Sequence, residues 1–180
     1  MTDAADQLYE RVLVLRCQAR DEAAFEELVA CYTPRLRYYL RRMLGGEQPA
    51  EDALQEVWLD AFRGLPGLAE PGSFAAWIYR LARDRACREL RRHRTFLPLD
   101  ACDVTDETGS ADEFSAEDAA GIHRALEALI PEHREVLVLR FIEGMTYEQI
   151  AGVVGCQLGT VRSRLHYAKR ALRRAIEGTG

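Results

Sequence analysis

Along almost the whole chain apolar residues recur at three- and four-residue intervals, and no stretch alternates apolar and polar positions long enough to suggest a sheet. The expected fold class is therefore all-α. A first helix is expected over 7 to 19, and Asp21 is placed to cap a second that runs to about 44, where Gly45-Gly46 ends it. A third, about 50 to 63, sets Leu54, Val57, Trp58, Ala61 and Phe62 on one stripe and Asp52, Gln55, Glu56 and Asp60 on the other. One face packs and the other is left for solvent or a partner. After a Gly/Pro-rich loop over 64 to 72, Ser73 is expected to cap a fourth helix in which Phe74, Trp77, Ile78 and Leu81 follow helical spacing.

The next 23 residues, 96 to 118, have no period and are acidic and rich in Ser, Thr and Gly, the composition of a flexible solvated linker. Beyond it a helix near 119 to 130 is followed by another from Pro131 to Gly144. Thr146 and Gln149 then have the spacing of a capping box for a short helix ending at Val154, and Gly155 supplies a left-handed turn into a final helix from about 158. In that helix Leu158, Val161, Leu165, Ala168, Leu172 and Ile176 form the stripe expected to be buried. The division is thus a four-helix domain at 1–95, a linker at 96–118 and a helix-turn-helix domain at 119–180.

A chain of 180 residues holds one compact domain or two small ones, which argues against a large multi-layer enzyme. No apolar run is long enough for a membrane span, and the N-terminus carries acids before any base with no apolar signal core. A cytoplasmic protein without membrane insertion is expected. The five cysteines (Cys17, Cys31, Cys87, Cys102, Cys156) are scattered, with no pair at metal-ligand spacing, and are expected to be reduced and mostly buried.

The net charge of −5 conceals a division. Residues 96 to 121 carry eight acids and no base, whereas 80 to 94 hold seven arginines against two acids and 158 to 174 hold six bases and no acid. The second run lies in the helix-turn-helix, whose recognition helix needs hydrogen-bond donors toward its N-terminal half to enter a major groove about 12 Å wide. Arg162, Ser163 and Arg164 meet that need, while Lys169, Arg170, Arg173 and Arg174 suit phosphates, which position without specifying. No nucleophile with a base, phosphate-binding glycine loop or metal cluster is present in the sequence, and His93, His123, His133 and His166 lie far apart. No catalysis, cofactor or metal is expected. Trp58 and Trp77 sit on apolar stripes, which favours packing over base stacking.

Four ordered segments carry a resemblance: AFEELV with PRLRYYLRRML, then AEDALQEVWLDAF, then FAAWIYRLARDRACRELRR, then MTYEQIAGVVGCQLGTVRSRL. Over about 20 to 175 the chain resembles a bacterial RNA polymerase sigma factor of the extracytoplasmic-function (ECF) group of the sigma-70 family. The resemblance implies region 2 in the first domain and region 4 in the second. It implies that Asp52, Gln55, Glu56 and Asp60 dock on the beta-prime coiled coil of core polymerase, with the beta flap as a further contact. It implies that the loop at 64 to 73, with Trp77, Arg80, Asp84, Arg88, Arg91 and Arg92, binds the non-template strand at the minus-ten element and captures a flipped base. It assigns Thr160, Arg162, Ser163, Arg164, His166, Tyr167 and Arg170 to the minus-thirty-five duplex, and it implies an anti-sigma factor as a partner. Asp84 stands where the family usually has Asn, and Tyr167 where Arg is frequent. The competing reading is a stand-alone helix-turn-helix regulator whose first domain senses a partner.

Overall fold

A computed structural model describes residues 4–94 and 125–177, and among them there is no strand. The chain divides into two compact units, one built on the helices up to Arg94 and the other on most of the chain from Pro98 onward. The acidic spacer at 96–118, the first residues of the helix expected from 119, Cys102 and His123 lie outside the described residues.

In the first unit, α1 (Ala4–Gln18) and α2 (Glu22–Leu44) form a hairpin. The joint is closed by Arg20, a non-glycine residue at φ +67°, and by Asp21. The Asp21 carboxylate accepts from the Ala24 backbone N–H at 3.2 Å and from Arg16 Nε at 2.9 Å. Arg16 first, and then the Ala24 N–H, hold that carboxyl below its usual range. Pro34 lies within α2, and Gly45, at φ +72°, donates its N–H to the Arg41 carbonyl to end the helix.

Helix α3 (Glu47–Gly64) begins one turn earlier than the apolar spacing suggests, because Pro49 falls in the first turn, where a missing N–H costs nothing. Its packing face is Ala50, Ala53, Leu54, Val57 and Ala61. Two expectations are corrected here. Phe62 is 62% exposed, its ring edge-on to Phe25 at 5.3 Å. Trp58 is half-buried, its indole N–H donating to Thr33 Oγ1 at 3.0 Å.

The loop after α3 contains two short 3-10 turns, Leu65–Gly67 and Pro71–Ser73, and leads into α4 (Phe74–Arg94). The capping carboxylate is that of Glu70, which accepts the Gly72 N–H at 3.2 Å; Ser73, expected to cap, donates its hydroxyl to the Glu70 carbonyl at 2.7 Å. The buried line of α4 runs through Phe74, Ile78, Tyr79, Ala82 and Ala86, so Trp77 and Leu81 stand at its margin and are half-buried rather than central. Edge-on ring pairs Tyr32–Phe74 (5.1 Å) and Tyr39–Tyr79 (5.3 Å) join α2 to α4. The thiols depart from expectation: of the four described only Cys17 is buried, Cys31 is exposed, and Cys87 and Cys156 are intermediate. Burial pushes the Cys17 thiol up.

The second unit opens, among the described residues, with a helical turn at 125–127. Arg134 donates to the carbonyls of Leu126, Glu127 and Leu129 at 2.8–2.9 Å, satisfying backbone acceptors there. Helix α5 (Pro131–Leu137) widens into a π turn at Val138–Ile142, and Gly144 at φ +69° closes it. Helix α6 (Tyr147–Val154) starts with the expected capping box, Thr146 and Gln149 bonding reciprocally at 3.2 and 2.9 Å. It ends at Gly155, φ +68°, with the Gly155 and Cys156 N–H groups both donating to the Ala151 carbonyl. Helix α7 (Leu158–Glu177) buries Val161, Leu165, Ala168 and Leu172 as expected, while Leu158 and Ile176 are intermediate.

Candidate polymerase and nucleic-acid interfaces

The polar stripe of α3 faces outward. Asp52, Gln55 and Glu56 are exposed, one helical face that the first unit's own core does not use. Asp60 differs. It is half-buried and holds Arg85 of α4, whose Nε and Nη2 donate to Asp60 Oδ2 at 2.9 and 2.6 Å while Nη1 lies 3.2 Å from Glu56 Oε2. Arg85, which periodicity alone does not single out, thereby ties α3 to α4. A charge-assisted contact this short and a quarter exposed on the arginine side fixes geometry more than a surface pair does. Asp52, further along, accepts from Gln48 Nε2 at 3.0 Å.

Beside this stripe lies an open groove of about 980 Å³, with Asp52, Gln55 and Glu56 on the α3 side and Arg85, Arg88, Arg91 and Arg92 on the α4 side. Along α4, Arg80, Asp84, Arg88 and Arg91 recur at four, four and three residues, so they share one face, and all are exposed, as is Arg92. Trp77 falls on the same edge of the helix, its ring packed against Gly64 and tilted on Phe74 at 5.9 Å. A Cβ at position 64 would sit 3.0 Å from that indole, so glycine there lets the end of α3 approach Trp77. The Trp77 ring is packed yet not fully enclosed. The loop residues Pro66, Gly67, Ala69 and Glu70 are exposed, anchored by the buried Leu65.

In α7, Arg162 and Arg170 are exposed, and Thr160, Ser163, His166 and Tyr167 are half-buried on the outer side. His166 and Tyr167 meet edge-on at 5.3 Å. Ser163 donates its hydroxyl to the Thr160 carbonyl at 3.1 Å, which leaves its oxygen as an acceptor for an incoming donor. Arg164 is half-buried as well. Lys169 is drawn aside, its ammonium 5.3 Å from the Phe141 ring centroid. Glu148, in the first turn of α6, is held below its usual range by backbone N–H and the Thr146 hydroxyl, with Arg162 adding to the effect.

Burial keeps the His133 imidazole neutral below its ordinary range, Arg164 assisting and Glu132 opposing. Because the folded value is depressed, its share of stability is complete above the unfolded value of 6.5 and is lost as pH falls. Urea titrations at pH 7.5 and 5.5, around that ordinary pKa near 6.5, should show lower stability at the acidic end, and His133→Gln should flatten the difference. An unchanged difference would remove His133 as its source.

A family model for Sigma-70 region 2 matches residues 28–96, and one for Sigma-70, region 4 matches residues 119–172. The chain is 32% identical to the RNA polymerase sigma-H factor of Pseudomonas aeruginosa, covering 95% of each, and 30% identical to the ECF RNA polymerase sigma-E factor of Escherichia coli (strain K12), covering 96% of this chain and 97% of that one. The chain belongs to the ECF group of the sigma-70 family. As a sigma factor it binds core RNA polymerase and directs it to specific promoters, and the stand-alone regulator reading falls away. Among solved structures it has the fold of CnrH, described in complex with the cytosolic domain of CnrY (TM-score 0.70, 23% identity, 95% of this chain and 99% of that one). It also has the fold of the sigma factor RpoE of Bartonella quintana in a co-crystal with the anti-sigma factor NepR (TM-score 0.68, 20% identity, 85% and 96%). No described helix of this sigma factor is long and apolar enough to cross a membrane. Region 2 thus takes in most of α2 with α3 and α4, and region 4 takes in α5, α6 and most of α7.

Proposed function

We propose that the two regions divide the work of initiation by residue. The outward acids of α3, Asp52 and Glu56 with Gln55 between them, grip the beta-prime coiled coil, and region 4 makes the further contact with the beta flap. Asp60 serves the same surface from behind, by holding Arg85 and with it the angle of α4. The 64–73 loop, Trp77 and the Arg80, Asp84, Arg88, Arg91, Arg92 face take the non-template minus-ten strand. Thr160, Arg162, Ser163, Arg164, His166, Tyr167 and Arg170 take the minus-thirty-five duplex. The domains divide at 1–95, 96–118 and 119–180, the work is binding alone without catalysis, it takes place in the cytoplasm, and an anti-sigma factor holds the protein when it is idle.

The observation that carries this reading is the outward face of α3 beside an arginine-bearing face of α4 on the same groove. Binding to polymerase is tested by mixing purified protein with core enzyme and following co-elution and promoter-dependent run-off transcription; co-elution with start-site-specific RNA supports the reading, and specific transcription without association contradicts it. The duplex contacts have their own test. Arg162→Ala should cost ~1 to 3 kcal/mol and relax preference at one base pair, whereas Arg173→Ala should weaken every sequence alike and shallow the salt slope by about one. Equal losses on all sequences from both changes would reverse the assignment of Arg162.

A further inference from the structure

We infer that α1, which ends before residue 28 where the region 2 match begins, is the splint that sets the shape of the minus-ten loop, and that Gln18 is the positioning residue through which it acts. The inference rests on the proposal that this loop meets the non-template strand.

Gln18 is the last residue of α1 and half-buried, and its Nε2 donates to the Leu68 carbonyl at 2.8 Å and the Leu65 carbonyl at 3.3 Å. Two facing carbonyls require the amide nitrogen, not its oxygen, to point at the loop. Those two acceptors bracket Pro66 and Gly67, the exposed crest of the first 3-10 turn. A second contact works at the far end: Arg11, two turns earlier on α1, lies 3.8 Å from the Glu70 carboxylate that caps the second turn. A Cβ on Gly72 would come within 3.5 Å of the Arg11 side chain, so α1 runs close along the loop backbone.

Nor is α1 free to drift. The left-handed Arg20 and the Asp21 pairing with Arg16 lock its C-terminus one turn from Gln18, and Leu13 and Val14 are buried. A surface loop otherwise samples many shapes, and base capture by a pocket needs one of them in advance. Donation from Gln18 to two carbonyls selects that shape without touching DNA.

The test uses full-length protein assembled with core polymerase and a fork-junction DNA pool whose single-stranded minus-ten segment is randomised. The pool is sequenced before and after capture. Gln18→Glu, the same size but unable to donate, should lower discrimination at one or more minus-ten positions by about fivefold. Affinity for core and preference in the minus-thirty-five duplex should hold within about twofold, and Gln18→Lys, which restores a donor, should recover discrimination. A merely structural residue would lower core affinity, both promoter preferences and melting temperature together, and that outcome overturns the inference. So does a wild-type minus-ten profile from Gln18→Glu. Ala69→Asp, an acid placed on the exposed loop, separates the two claims: its loss of capture with an unaffected Gln18→Glu sinks the splint alone, whereas no effect from either removes the loop from the strand and the splint with it.

Discussion

Replacing Asp52 and Glu56 together by lysine should weaken association with core polymerase by at least about a hundredfold. Both carboxylates stand outward on α3, and the first unit does not use that face for its core. Two reversed charges against a complementary surface each cost more than about 1.4 kcal/mol, and that amount is tenfold in a dissociation constant. The effect should grow at low salt, as exposed charges are screened over about 8 Å at physiological ionic strength. Glu56 also lies 3.2 Å from Arg85, so the double change is compared with Asp52→Lys alone, which leaves the Arg85–Glu56 pair in place. Titration of labelled protein with core enzyme measures both. A double variant that binds within about threefold of wild type would move the polymerase contact off α3, since a real loss of one charge pair exceeds that.

Phe74→Ala should destabilise the first unit by about 3 to 5 kcal/mol, the cost of emptying a buried aromatic site. Phe74 is 1% exposed, opens α4, and meets Tyr32 of α2 edge-on, so the cavity would form where α4 joins the hairpin. Small domains retain only about 5 to 15 kcal/mol, so a large part of the unit's stability goes with that one ring. The second unit has a core of its own, with Leu139, Ile150, Val161 and Leu165 all at or below 2% exposure. Thermal melting followed by circular dichroism should therefore show a transition lowered by more than about 10 °C and a second left where it was. A single transition that moves as a whole would mean the two units do not melt separately.

The contrast between these two sites shows what could be read without coordinates. The capping box at Thr146 and Gln149, the left-handed Gly45 and Gly155 and the buried centre of the α7 stripe, Val161, Leu165, Ala168 and Leu172, all follow from rules that act within one turn of chain, and each stands where the spacing put it. Three of the four residues of the polar α3 stripe, Asp52, Gln55 and Glu56, were legible for the same reason, whereas Asp60 turned out half-buried against Arg85, and the partner of the stripe came from the resemblance and not from the residues. What failed depended on neighbours distant in sequence. Phe62 is apolar and in helical register, yet it stays 62% exposed beside the Phe25 ring. Ser73 has the chemistry of a cap, but a 3-10 turn at Pro71–Ser73 precedes α4, Glu70 caps that turn, and the Ser73 hydroxyl is spent on the Glu70 carbonyl. Arg85 and Gln18 carry no periodic signal, because their importance lies in Asp60 and Glu56 across a helix pair and in two loop carbonyls 47 and 50 residues away.

Photo-cross-linking from position 55 tests the central assignment most directly. With a photoreactive phenylalanine analogue in place of Gln55, in full-length protein bound to core polymerase on promoter DNA, the adduct should map to the coiled coil of the beta-prime subunit. An adduct on DNA, or none on any polymerase subunit while transcription proceeds, would contradict it.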